Sequence, residues 1–386
     1  MKVWVKNNLK GDPMIWGIVI VLAIISVLTV YSASSSLAYR QMRSNTEYYL
    51  LKQSILILLS FFAMWITHKI DYRYYAGIAK GALWISIPLL LVTWKYGVNL
   101  NEASRWVTIP GINKSFQTSD LAQLALIIRM ASMLAKKKKY INSFRFACLP
   151  MLAWSGLICG LIALTNFSAA ILLFGTCIFL MYIGNIPVKY VAMLAVVGIL
   201  TGSVALLLGQ RGSTALSRIV NFVQGDISFQ AEQAYIAIAT GGIYGKGPGK
   251  SSQRNFLPHP YSDFIYAILI EEYGLIGGIF VLLLYLMLLF RGMQSLSTSH
   301  TYYGGMLSFG LSLLVVLQAV LNMAVAVGLG PITGLPLPFV SMGGTSLLFT
   351  GIALGIMLSI SEGGIDPNID LIKYPLYKRN AYKKVI

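Results

Sequence analysis

The stretch HPYSDFIYAILIEEYGLIGGIFVLLLYLMLLFRG (259–292) decides the fold. Between Asp263 and Arg291 it carries only two charges, Glu271 and Glu272, and then a long apolar run. A helix needs about 20 such residues to cross a hydrocarbon layer, so the stretch predicts a transmembrane span near 263–290. Nine further runs pass the same ruler, near 14–34, 50–67, 75–94, 118–135, 147–164, 167–184, 188–209, 304–326 and 345–360. The run at 118–135 is the weakest, because Asp120, Gln123 and Arg129 interrupt it. The expected fold class is all-α: a polytopic integral membrane protein of about ten helices, forming one membrane domain over 1–386.

Composition agrees. The chain is 56% hydrophobic and 11% charged, with a mean hydropathy of +0.71, whereas soluble domains carry about 25% charged residues. The net charge of +17 is accounted for by loops facing anionic lipid. No basic–aromatic module or zinc spacing supports nucleic-acid binding. Lys2, Lys6, Lys10, Lys69, Arg73, Lys136 to Lys139, Arg145, Lys189, Arg291 and the tail lysines all fall on one side under alternating crossings. The positive-inside rule makes that side cytoplasmic. Both ends then lie inside, 363–386 is a basic cytoplasmic tail, and 210–262 is a large extracytoplasmic loop. The first run, from Met14 to about Ala33, reads as an uncleaved anchor. Cys148, Cys159 and Cys177 sit in apolar runs and read as packing residues, while His68, His259 and His300 show no metal spacing.

Two outer segments break the helical pattern. Residues 327–344, VGLGPITGLPLPFVSMGG, contain Pro331, Pro336 and Pro338, which helices do not tolerate. Irregular backbone at membrane depth survives only inside protein or along a wet cavity, so this loop is expected to fold back over a cavity, with an ordinary surface loop as the alternative. GGIYGKGPGK (241–250) invites a phosphate-loop reading, but Tyr244 stands where that motif needs glycine and no strand precedes it. It reads better as a mobile turn offering Lys246 and Lys250 to an anionic ligand.

Candidate chemistry gathers around these segments. Asp263, where the long loop meets its helix, is either a helix-terminal acid or a general base at the membrane–water boundary. Glu271 and Glu272 lie roughly 12–14 Å deeper on an ideal helix; Glu271 is placed to share a cavity with Asp263, and Glu272 to pair with another helix. Structural ion pairing is the alternative for both. NEASRWVTIPGINKSFQTSDLAQLALI (101–127) supplies Arg105, Trp106, Lys114, Gln117 and Asp120. Arg105 suits phosphate, Trp106 is an interface anchor or a sugar platform, and Asp120 opens a helix.

Four stretches resemble the SEDS family (shape, elongation, division, sporulation), whose members include FtsW and RodA. RWVTIPGINKSFQTSDLAQLALI (105–127), GGIYGKGPGKSSQRNFLP (241–258), HPYSDFIYAILIEEYGLIGG (259–278) and GPITGLPLPFVSMGGTSLL (330–348) match its ordered motifs. The resemblance implies a peptidoglycan glycosyltransferase that polymerises lipid II at the outer face of the cytoplasmic membrane. It also implies a class B penicillin-binding protein as crosslinking partner, with the growing glycan strand, the bilayer and other division proteins as further contacts. It places the essential aspartate at Asp263, as general base on the acceptor 4-hydroxyl. Arg105, Lys246 and Arg254 are the candidates for neutralising pyrophosphate, and Gln253 and Ser341 complete the substrate contacts with Glu271. The resemblance implies no definite cofactor; a divalent cation assisting pyrophosphate departure is an open alternative, and no ligand cluster is readable. The sequence leans towards FtsW. It departs from the family pattern at Thr118, Asp120 and Gln123, and at TNFSAA (165–170), where Asn166 and Phe167 replace Pro and Asp. Two other readings use the same features: a lipid II flippase, which needs mid-membrane charges and paired broken helices, and a non-catalytic scaffold for the transpeptidase.

Overall fold

A computed structural model describes residues 10–41, 46–100, 103–108, 115–208, 212–257 and 260–363. The tail beyond 363, and with it the basic-tail expectation, lies outside the described residues. Each of the ten apolar runs coincides with a helix: α1 (Pro13–Gln41), α2 (Thr46–Lys69), α3 (Tyr75–Tyr96), α4 (Thr118–Lys136), α5 (Leu149–Ala163), α6 (Phe167–Ile183), α7 (Val188–Leu208), then α10 (Ile265–Thr298), α11 (Tyr302–Ala326) and α12 (Gly344–Gly363). Between α7 and α10 stand two helices that apolar length alone did not reveal, α8 (Gly212–Gln224) and α9 (Phe229–Gly241). A small antiparallel sheet of β1 (Val98–Leu100), β2 (Ala103–Thr108) and β3 (Ser115–Gln117) interrupts the otherwise all-α chain between α3 and α4.

Seven of the described helical segments are long and apolar enough to cross a membrane, and Phe167–Ile183 and Val188–Val204 are shorter apolar helices. Helix α4 fails that test for a physical reason. It lies inside the bundle against α3, α6, α11 and α12, and from Ala122 to Leu134 every residue except Arg129 is buried. Protein rather than lipid surrounds it. Thr118 joins α4 to α3 through a 2.9 Å bond between its hydroxyl and that of Thr93. Asn166 caps α6 by accepting from the Ala169 amide at 3.3 Å, so the residue that departs from the family pattern has a structural use.

The helices alternate between two ends. At one end Arg291 pairs with Asp12, Lys10 lies 3.1 Å from Glu362, and the Ser361 hydroxyl accepts from the Asp12 amide at 2.9 Å, tying together α1, α10 and α12. The other end carries Asp263, the sheet, α8 and α9.

The segment 327–344 folds into the bundle at that second end. Leu335, Leu337, Phe339 and Val340 are buried. Its carbonyls are satisfied by helix side chains: Gln318 donates to Pro336 at 2.9 Å, Ser26 to Val340 at 2.8 Å, and Tyr285 to Pro338. Tyr285 lies 11 residues beyond Gly274, about 16 Å of rise, so irregular backbone reaches deep between helices, where it persists because protein supplies these partners. A cavity of about 220 Å³ lies under the first part of this loop, lined by Phe167, Arg218, Leu321 and Ile332 among others. Asp263 is not among its lining residues.

Candidate active site

Helix α10 is broken at Gly274, whose φ of 72° and ψ of −178° no helix contains. The break frees two carbonyls and two amides, and the turn 242–247 takes all four. Lys246 and Gly247 donate to the carbonyls of Glu271 and Glu272, both at 2.9 Å. Leu275 donates to Gly242 at 2.9 Å and Ile276 to Ile243 at 3.3 Å. So close an approach leaves no room for side chains: a Cβ at Gly274 would sit 2.1 Å from the Ile243 carbonyl oxygen, and one at Gly245 2.3 Å from that of Glu272. The glycines of both motifs are one requirement, backbone seated against backbone.

Beyond this seat the chain wraps the two glutamates. Glu271, 0% exposed, accepts from Lys246 Nζ at 2.6 Å, from the Ser252 amide at 3.1 Å, from the Ser252 hydroxyl at 2.8 Å, from the Gln253 amide at 3.3 Å and from the Ser251 hydroxyl. Glu272 accepts from the Ser251 amide at 3.3 Å and from Ser32 of α1. The glycine-rich loop therefore does have the form of an anion cradle, and its anion is a carboxylate of the same chain.

Three expectations change accordingly. The turn is anchored at both edges, against the mobile-turn reading. Glu271 is fully buried and committed to holding the loop. Lys246 is shared with Glu271 and the Ser252 hydroxyl at 3.0 Å, while Lys250 remains exposed. Arg254 is drawn inward, donating to the Ser32 carbonyl at 3.1 Å and hydroxyl at 3.0 Å. Gln253 is half-buried beside it, its amide on Glu271. Glu272 meets another helix, as its helical phase predicts.

Asp263 lies in the turn before α10, two residues short of the first helical residue, and Phe264 is the N-cap position. It is thus not a capping acid. Its side chain is half-buried and its Oδ1 accepts from the Ser262 hydroxyl at 2.8 Å. The backbone around it is clamped from two directions. Asn322 of α11 donates through Nδ2 to the carbonyls of Asp263 and Leu335, each at 2.8 Å. Ser341 donates to the Ser262 carbonyl at 2.7 Å and accepts from the Leu337 amide at 2.8 Å, and the Met342 amide reaches the Tyr261 carbonyl at 2.9 Å. Ser341 is buried and has both functions filled, which makes it a positioning residue and corrects its expected role as a substrate contact. Burial, and then the neighbouring Tyr49, push the Tyr261 phenol above its usual range, so beside Asp263 it is a neutral hydroxyl at physiological pH.

The sheet joins the same end. Trp106 of β2 is half-buried and stands across from Val98 and Gln117. The Gln117 amide reaches the Thr345 hydroxyl at 3.2 Å, and its side chain donates to Ser119 at 3.0 Å. Asp120 is half-buried in the first turn of α4, and its Oδ2 has no partner among the described residues. Lys114 and the side chain of Arg105 lie outside the described residues. Asn322, Ser32 and Thr345 escaped sequence reasoning; a lone polar residue in an apolar run was the available signal for Asn322. Among the described residues no group of three His, Cys, Asp or Glu is arranged to hold a metal ion.

These motifs and their geometry have a known setting. The sequence model of the FtsW/RodA/SpoVE family, described as "Cell cycle protein", matches residues 12–364. The chain belongs to this family. The FtsW/RodA/SpoVE relatives include a probable peptidoglycan glycosyltransferase FtsW of Geobacter sp. (strain M18), 32% identical over 359 residues, covering 91% of this chain and 96% of that one. Stage V sporulation protein E of Bacillus subtilis (strain 168) is 31% identical over 362 residues, covering 91% of this chain and 97% of the relative. The FtsW/RodA/SpoVE fold is also seen in a solved chain of a peptidoglycan synthase complex, 23% identical, with TM-score 0.72, covering 92% of this chain and 99% of that one. Thermus thermophilus rod shape determining protein RodA has TM-score 0.66 at 22% identity, with 93% and 99% covered.

Proposed function

We propose that this multi-pass membrane protein is a peptidoglycan glycosyltransferase that polymerises lipid II, with Asp263 as its general base. The reading rests on one observation: the aspartate to which the family resemblance assigns catalysis has its backbone clamped by Asn322, with its neighbour Ser262 held by Ser341, while its carboxylate is only half-buried. A base held in place with its carboxylate accessible is what proton abstraction from a sugar hydroxyl requires. The Asp263 carboxylate takes the proton of the acceptor 4-hydroxyl. The oxygen then bonds to the anomeric carbon of the donor as the bond to undecaprenyl pyrophosphate breaks, with inversion, and the leaving group carries away the electron pair. General base catalysis of this kind contributes about 10²–10⁴-fold. The pyrophosphate charge is met by the 246–254 loop, where Lys250 is exposed and Lys246 is shared with Glu271.

Orientation follows from charge. Lys10, Lys69, Lys136 to Lys139, Arg145, Lys189 and Arg291 gather at the end opposite Asp263, which the positive-inside rule assigns to the cytoplasm. Ten spans in the inner membrane then put Asp263, the sheet, and the 210–262 segment outside, where a class B penicillin-binding protein crosslinks the product. The FtsW-named relatives favour a division role. The test is lipid II polymerisation by purified protein, wild type against Asp263→Asn, with and without the cognate transpeptidase. We expect loss of glycan product from a variant that elutes and melts like the wild type. Normal polymerisation by Asp263→Asn overturns the assignment, and lipid II translocation without polymer by the wild type replaces it with a flippase.

A further inference from the structure

At the end of the bundle opposite Asp263, the connection from α4 to α5 reads KKKKYINSFRF (136–146). No acidic residue occurs between Asp120 and Asp226, so nothing in this part of the chain neutralises it. Its shape is set by internal bonds. Lys137 folds inward and donates to the Phe146 carbonyl, closing the loop; burial, then the charge of Arg129, lower the pKa of its ammonium. Lys138 lies over the Tyr302 ring, 4.2 Å from its centroid. Phe144 packs on Tyr190, ring centroids 5.3 Å apart, bringing Lys189 to the same side.

What remains points outward. Lys136, Lys139 and Arg145 are exposed. Tyr140 and Phe146 are 62% and 65% exposed, with ring centroids 6.4 Å apart. Two large rings standing bare among cations that no acid within 121–225 offsets, at the ends of two membrane helices, do not make a water-facing surface. Aromatic rings of this kind favour the headgroup region, and juxtamembrane cations favour anionic lipid. We infer that this basic–aromatic loop is a binding surface for the phosphodiester headgroups of anionic phospholipids in the adjoining leaflet. Tyr140 and Phe146 enter between headgroups, and Lys136, Lys139 and Arg145 pair with the phosphates around them. An acidic cytosolic protein would be drawn by the same charge but gives no place to rings at bilayer depth.

The experiment is independent of catalysis. Purified full-length protein in neutral detergent micelles is doped with phosphatidylglycerol or with phosphatidylcholine of the same chains, and retained lipid is counted by native mass spectrometry. The wild type is expected to retain phosphatidylglycerol in preference. A basic side chain at an anionic surface is worth about a factor of five, so Lys136→Gln, Lys139→Gln and Arg145→Gln together lower that preference by about a hundredfold. The corresponding substitutions that keep charge, Lys136→Arg, Lys139→Arg and Arg145→Lys, preserve it, and Lys95→Gln at the far end leaves it unchanged. Should the glutamine variant fail to fold, the wild type still decides: its preference must fall as salt approaches ~1 M, where charge is screened within about 3 Å. Equal retention of the two lipids by the wild type, or a preference that survives either the glutamine variant or high salt, overturns the inference.

Discussion

Replacing Gly274 by alanine tests whether the break in α10 is a built seat for the turn 242–247. The new Cβ would stand 2.1 Å from the Ile243 carbonyl oxygen and 2.5 Å from the Gly245 amide nitrogen, distances no side-chain rotation relieves because both atoms are backbone. The φ and ψ at Gly274 belong to a region essentially confined to glycine, where another residue costs about 1–3 kcal/mol. Expelling the turn removes four backbone hydrogen bonds, each worth about 1 kcal/mol net. If α10 rewinds through the break that strain is relieved and alanine's better helix propensity returns about 1 kcal/mol, so the net loss is roughly 3 kcal/mol. Gly81→Ala in α3 is the matched control, since its Cβ meets nothing within 4 Å. Thermal unfolding in detergent, followed by size-exclusion, should show Gly274→Ala melting several degrees below wild type and Gly81→Ala unchanged or higher. Lipid II polymerisation should fall with the first variant only, because Glu271 loses the loop it holds. If Gly274→Ala melts with the wild type and polymerises normally, the seat is not what fixes the loop.

Asn322→Leu withdraws the donor from the carbonyls of Asp263 and Leu335 and should lower stability by about 2–4 kcal/mol; polymerisation should drop more than melting temperature does, and equal melting would refute the clamp. Glu271→Gln leaves Lys246 and two serine hydroxyls competing for one amide oxygen; with Lys246 30% exposed, the cost should be about 2–4 kcal/mol rather than that of a fully buried pair, read as earlier protease cleavage within 246–254. Arg291→Ala breaks the pair with Asp12 at the other end, about 40 Å along α10 from Asp263, and should lower melting temperature while leaving the polymerisation rate of the folded fraction intact.

The helical frame was legible because lipid imposes a length and a composition on anything that crosses it. The runs at 14–34 and 304–326 announce α1 and α11 on that ground alone. Helix α4 was legible only dimly, since protein rather than lipid surrounds Asp120, Gln123 and Arg129. Asp263 could be singled out by its place at a boundary, but what holds it could not. Asn322 reaches it across 59 residues and Ser341 reaches its neighbour Ser262 across 79, and no local periodicity records such contacts. Counting Asp263 as part of the helix also put Glu271 in the wrong company: Asp263 lies in the turn before α10, and the Glu271 carboxylate is taken by the 246–254 loop, a long-range contact the sequence does not show.

The clamp on Asp263 has a bearing on the order in which the molecule can be made. The turn that carries the carboxylate leaves the ribosome well before α11 and the segment 327–344 that steady it, and Gln117 must wait still longer for Thr345. Nascent protein with α10 already inserted therefore holds its aspartate in a slack, unsupported bend. The clamp closes only with the last two helices, so a premature stop ahead of Ser341 leaves the Asp263 turn without the Ser341 and Met342 contacts that hold it.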